Sequence, residues 1–131
     1  MLRRLTTPLS GLLYGAATGN LETTPDPQFM KDVAVTVVLA SEGYPDKAAP
    51  NRKIHHIAKA ASVEHVEICH AATAVDHESH DHLIATGGRV LSVVAVGSSF
   101  EHARRHAYEA IGMIELEGSY YRKDIAAKVA K

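Results

Sequence analysis

An α+β fold in a single domain is predicted by three features of this sequence. Helix-like and strand-like runs are grouped as helix, strands, helix, with no alternating strand-helix rhythm of the kind that builds a doubly wound sheet. The longest helical pattern follows the strands. The chain has 131 residues, of which 46% are hydrophobic, enough for one core over residues 1–131 and without an internal repeat.

The opening "MLRRLTTPLSGLLYGAATG" is read as an amphipathic helix within residues 1–20. Pro8 suits a first helical turn, Thr7 is placed to cap it, and Leu9, Leu12, Leu13 and Ala16 recur at helical spacing. Pro8, Ser10 and Gly11 interrupt the apolar run that a secretory signal needs. "ETTPDPQF" holds two prolines and reads as an extended linker. "VAVTVVLAS", residues 33–41, is rich in β-branched side chains and predicts a central strand buried on both faces.

"EGYPDKAAPNRK" is a long loop. Ile54 and Ile57 bracket a short strand, and "AKAAS" makes one helical turn. Residues 63–75 alternate apolar and polar side chains, which favours strand. "DHESHDH" is the turn of a hairpin around residues 76–82, and "LIATGGRVLSVVAVG" reads as two strands bent at 87–88. In "SSFEHARRHAYEAIGMIEL", Ser98 and Glu101 have capping-box spacing. Phe100, Ala103, Ala107, Ala110, Ile111 and Ile114 form its apolar stripe, with Arg104, Arg105, His106 and Glu109 toward water. "EGSYYRKDIAAKVAK" closes the chain with a glycine turn, a charged triplet and a basic tail.

A formal net charge of -1 supplies no basic field for nucleic acid. No apolar run approaches the roughly 18 to 20 residues of a membrane span. A lone Cys69 forms no internal disulfide and is expected to be buried; with no membrane segment, this fits the cytoplasm. No glycine-rich nucleotide fingerprint lies between a strand and a helix. His77, His80 and His82 have ligand chemistry for zinc or nickel, but their spacing on a turn matches a solvated connector as well.

Gly87, Gly88 and Arg89 stand at the mouth of the most strand-like run. Two uses fit them: a tight hairpin, or an anion site in which bare backbone approaches a phosphate while a guanidinium grips its oxygens. Arg122, Lys123 and Asp124 fit a solvated turn, or one side of a phosphate cradle if the fold brings them to Arg89.

"AVTVVLASEGYP", "HAATA", "TGGRVLSVVAVG", "RRHAYEAIGMI" and "YYRKDIA" occur in that order. Together they resemble the C-terminal domain of the phosphoribosylamine-glycine ligase family, also called glycinamide ribonucleotide synthetase. "TPLSGLLYGAATGNL" resembles the helix following that family's catalytic region. The resemblance implies a rudimentary single hybrid motif of β-strands as sheet or barrel, with an N-terminal helix and one long helix after the strands. It implies an ATP-grasp ligase joining glycine to 5-phosphoribosylamine through a glycyl phosphate in purine synthesis.

The ATP-binding region and the magnesium-holding residues of that family lie upstream of the matched helix. The segment is therefore expected to bind no cofactor itself, to be inactive alone, and to have the N-terminal and ATP-grasp domains as partners, with residues 1–20 as the connecting helix. The resemblance further implies that Gly87, Gly88 and Arg89 help hold the ribose phosphate, with Arg122 and Lys123 at the same interface. The alternative is a free-standing module for a metal, through the histidine turn, or for a small phosphorylated ligand. The family's usual glycines are replaced by His56 and Ala72, which puts the local geometry near residues 54–57 in question.

Overall fold

The computed structural model describes residues 1–77 and 82–130, and it is α+β. A three-stranded antiparallel sheet has the order β1 (Val33–Ala40), β6 (Arg89–Gly97), β3 (Val66–His70). A four-stranded antiparallel sheet has the order β4 (Thr73–Asp76), β5 (His82–Ala85), β2 (Arg52–His55), β7 (Glu115–Leu116). Three α-helices accompany them: α1 (Leu9–Ala17), α2 (Ile57–Ala61) and α3 (Phe100–Ile111).

The expected hairpin exists, with Asp76 of β4 opposite His82 of β5. The strand at 33–40 is where expected, but β6 occupies the centre and β1 lies at the edge. Its burial alternates as well: Val35, Val37 and Leu39 are buried, whereas Thr36 and Val38 are exposed. A run of β-branched residues maximises strand propensity without specifying that both faces are covered.

One face of β6 and β1 packs on α3, whose Ala103, Ala107, Ala110 and Ile111 are buried against Val37, Leu91, Val93 and Ala95. Small side chains on the helix let it lie close to the sheet, and Gly97 does the same at the strand's end. A Cβ on Gly97 would stand 2.7 Å from the Ala103 nitrogen. The cap of α3 is Ser99, not Ser98: its side chain accepts from the His102 N–H at 3.2 Å. Arg104 is not a wet-side residue. It is half-buried over the Tyr108 ring, 4.6 Å from the centroid, and donates to the carbonyls of Ile125 (3.0 Å) and Lys123 (2.7 Å).

At the other end, Thr7 does not cap α1; its Oγ1 accepts from the Gln28 N–H at 2.7 Å. Within α1 only Gly15 is buried, and Leu9, Leu13 and Tyr14 face solvent. His56 adopts φ 63°, the left-handed state in which glycine carries no steric penalty.

Candidate functional site

The diglycine stretch is a corner, not a hairpin turn. β5 belongs to the four-stranded sheet and β6 to the three-stranded one, and residues 86–88 carry the chain between them. Neither Gly87 nor Gly88 has positive φ. Their lack of side chains serves close approach instead: a Cβ on Gly88 would be driven into the Tyr44 ring, and one on Gly87 would meet the Ala72 methyl at 3.0 Å. Ser41 fastens the corner, donating its hydroxyl to the Gly87 carbonyl (2.8 Å) and its N–H to the Gly88 carbonyl (2.8 Å).

A second crossing runs beside the first. After β3 the chain passes through Ala71 and Ala72 to β4, and the N–H groups of these two alanines donate to the carbonyls of Val90 (3.0 Å) and Arg89 (3.1 Å). The Thr86 N–H then donates to the Ala72 carbonyl at 2.9 Å.

Arg89 owes its direction to a β-bulge. Leu39 pairs with Leu91 and Ala40 with Arg89, so Val90 is an extra residue opposite β1. Regular alternation from buried Leu91 would turn Val90 to solvent and Arg89 to the core. The bulge buries Val90 completely and turns Arg89 to the outer face. There it borders a cavity of about 680 Å³ whose walls include Val38, Tyr44, Pro45, Ala72, Gly88 and Ser92. Among the described residues, the Arg89 guanidinium has no hydrogen bond or ion pair; Arg52, by contrast, is tied to Glu42 and to the Glu117 carbonyl. Among the described residues, no carboxylate lines the cavity.

The "SEGYP" loop reaches this cavity through Tyr44 and Pro45, and the Tyr120 hydroxyl donates to the Tyr44 carbonyl at 2.7 Å. Arg122 and Lys123 follow a different course, toward α3. The Arg122 carbonyl accepts from the Tyr108 hydroxyl at 2.6 Å, and the Lys123 carbonyl accepts from Arg104. The Arg122 guanidinium forks onto Asp124 at 2.9 and 2.6 Å. These hydrogen bonds raise Arg122 above its ordinary value and hold Asp124 below the usual carboxylate range.

His82 starts β5, with its ring 6.4 Å from that of His55; His80 lies outside the described residues. Among the described residues, no three His, Cys, Asp or Glu side chains already converge as a metal site. Cys69 is exposed on β3, contrary to the expectation of burial, because the outer face of the three-stranded sheet is only partly covered. Residues Met1 to Leu5 lie beside it, with Arg3 paired to Glu67 at 3.1 Å. The sequence carried no signal for Ser41 as the corner's clasp, since its partners are 46 and 47 residues away.

Comparison with known proteins supplies the context. The family model described as "Phosphoribosylglycinamide synthetase, C domain" matches residues 34–128. The phosphoribosylamine-glycine ligase of Leifsonia xyli subsp. xyli is 55% identical over 128 residues, covering 98% of this chain and 30% of that protein. The ligase of the same name from Streptomyces coelicolor is 42% identical, covering 99% of this chain and 31% of that protein. A crystal structure of phosphoribosylamine-glycine ligase from Thermotoga maritima superposes with a TM-score of 0.65 at 31% identity, over 86% of this chain and 27% of that one. The chain thus spans about 30% of the length of the curated relatives it matches.

Proposed function

This chain belongs to the phosphoribosylglycinamide synthetase C-domain family, and from that premise we propose that it is the substrate-side domain of a phosphoribosylamine-glycine ligase. The whole enzyme would join glycine to 5-phosphoribosylamine with cleavage of ATP. The role of this segment is positioning: Arg89 grips the ribose phosphate of the substrate, while the Gly87–Gly88 corner, packed under Tyr44 and Ala72, fixes the place from which Arg89 reaches out. Arg122, whose guanidinium is forked onto Asp124, and Lys123 do not line this cavity and are not needed for that grip.

The single observation that carries this reading is Arg89 itself. Among the described residues it is an unpartnered guanidinium, turned outward by a bulge, beside a cavity with no competing carboxylate. The same cavity is a poor fit for magnesium, which takes oxygen ligands, usually from carboxylates and substrate phosphates. ATP and magnesium would be held by other regions of the enzyme, as the length of the matching ligases allows. Residues 1–20 would lead toward the ATP-grasp region, and the solvent-facing Leu9, Leu13 and Tyr14 of α1 offer apolar contact area for it.

Titrating the intact ligase with its stable product, glycinamide ribonucleotide, tests the proposal. Arg89→Ala should weaken binding by about 1.5–3 kcal/mol, the usual worth of a hydrogen bond to a charged group. Arg105→Ala, which removes another exposed arginine without an assigned contact, should leave affinity unchanged. Equal affinity of Arg89→Ala and the unsubstituted enzyme removes Arg89 from the site.

A further inference from the structure

One wall of the Arg89 cavity is a loop, and a loop keeps its shape only where other parts of the chain tie it down. The loop after β1 is tied in three places. Ser41 fastens its start to the Gly87 and Gly88 carbonyls. Glu42 pairs with the Arg52 guanidinium, which also donates to the Glu117 carbonyl at 2.7 Å. At the wall itself, the Tyr120 hydroxyl donates to the Tyr44 carbonyl at 2.7 Å. We propose that Tyr120 is a positioning residue of the candidate site, its hydroxyl holding the Tyr44 wall against Gly88 so that an anion gripped by Arg89 meets a finished cavity. The inference rests on the reading of Arg89 as a phosphate ligand.

Tyr120 is a fixed post because its backbone belongs to the sheet edge. Its N–H donates to the Ala40 carbonyl at 3.0 Å, and its carbonyl accepts from the Ala40 N–H at 2.9 Å, an antiparallel bridge at the end of β1. Ala40 pairs on its other side with Arg89. A short path therefore links the two sides of the cavity: Arg89 to Ala40 through the sheet, Ala40 to Tyr120 through the bridge, and Tyr120 to Tyr44 through the hydroxyl. Because the acceptor is a backbone carbonyl, the bond fixes the course of the loop and not merely one rotamer. Tyr120 is 45% exposed, so it contributes little to the core.

The wall matters to the charge beside it. Tyr44, Pro45 and Ala48 contribute apolar lining to the cavity, and a guanidinium–phosphate contact next to such a lining is screened less by water than one in the open. A loop free to swing outward would admit water to that contact.

The rest of the tail is held by a different tyrosine. The Tyr108 hydroxyl donates to the Arg122 carbonyl at 2.6 Å and accepts from the Ile125 N–H at 3.1 Å. None of Tyr108, Arg122 and Ile125 lines the Arg89 cavity. Two tyrosine hydroxyls thus fasten the same segment, one at the site and one away from it.

Titration of the intact ligase with glycinamide ribonucleotide, repeated for Tyr120→Phe, Tyr108→Phe, Arg89→Ala and the double variant Tyr120→Phe with Arg89→Ala, decides the matter. Tyr120→Phe keeps the ring and the Ala40 bridge and deletes the hydroxyl alone. It should weaken binding about fivefold, the usual yield of one net hydrogen bond, and raise the KM for 5-phosphoribosylamine to the same extent with kcat unchanged. Hydrogen exchange should quicken at the Tyr44, Lys47 and Ala49 amides, whose bonds shape the loop. Tyr108→Phe should loosen the tail and leave affinity unchanged. In the Arg89→Ala background the Tyr120 substitution should add less than about twofold, because two groups serving one contact are not additive. If Arg89→Ala weakens binding and Tyr120→Phe does not, the inference is overturned and the phosphate reading stands; if Arg89→Ala leaves affinity unchanged, both fall. Equal losses from Tyr120→Phe and Tyr108→Phe, or full additivity with Arg89→Ala, also overturn it and assign the hydroxyl to the tail's stability.

Discussion

At Val90 the chain carries one residue more than the strand beside it, and that surplus decides which side chain meets water. The exchange is favourable on both sides: an apolar residue enters the core, and a charge that would be costly to bury leaves it. Gly88 makes the neighbouring demand on space. Gly88→Ala forces a methyl group against the Tyr44 ring, and overpacking of this kind is expected to cost about 1–3 kcal/mol in urea unfolding. Adding Tyr44→Ala to Gly88→Ala should recover part of that loss; full additivity of the two would mean that the ring and the glycine do not press on each other. The Gly-Gly-Arg stretch was legible as a special backbone segment because glycine pairs and a fixed charge are locally unusual. That the glycines admit a ring from residue 44 was not legible, since nothing in residues 85–97 encodes a neighbour some 40 positions away.

Among the elements, α3 was the most readable, because its stripe of alanine and isoleucine repeats at helical spacing over three turns. The capping serine was misread by one position. Ser98 and Ser99 are chemically equal, and only the extended backbone at Ser99 (φ -141°, ψ 162°) selects the second. Ser99→Ala is expected to cost about 1 kcal/mol in thermal or urea unfolding. Ser98→Ala, which removes only a contact to the His102 ring, should change stability by less than about 0.5 kcal/mol. A reversed order of the two losses would contradict the cap assignment. The strand at 33–40 illustrates the opposite limit: its composition announces a strand, while its position at the sheet edge depends on where β6 pairs, which is a property of the whole topology.

Taken whole, the molecule leaves apolar side chains uncovered on two elements. Leu13 is 60% and Tyr14 72% exposed on α1, and Val38 is 38% exposed on the outer sheet face. The apolar spacing of α1 was legible in the sequence, but periodicity identifies a face without saying what covers it. If that cover is the remainder of the ligase, Leu13→Ser with Tyr14→Ser should leave this chain's own stability within about 0.5 kcal/mol. In the longer enzyme the same pair should lower the denaturation midpoint clearly. Equal effects in the two contexts would assign the face to this chain alone.

Two of the crossings between the sheets, β3 to β4 and β5 to β6, lie side by side, laced by the amides of Ala71, Ala72 and Thr86. Along this seam the two sheets share one laced edge, and Arg89 stands directly at it. If Arg89 holds an anion as proposed, the ligand sits where both sheets are tied by the same few amides, not on one sheet alone.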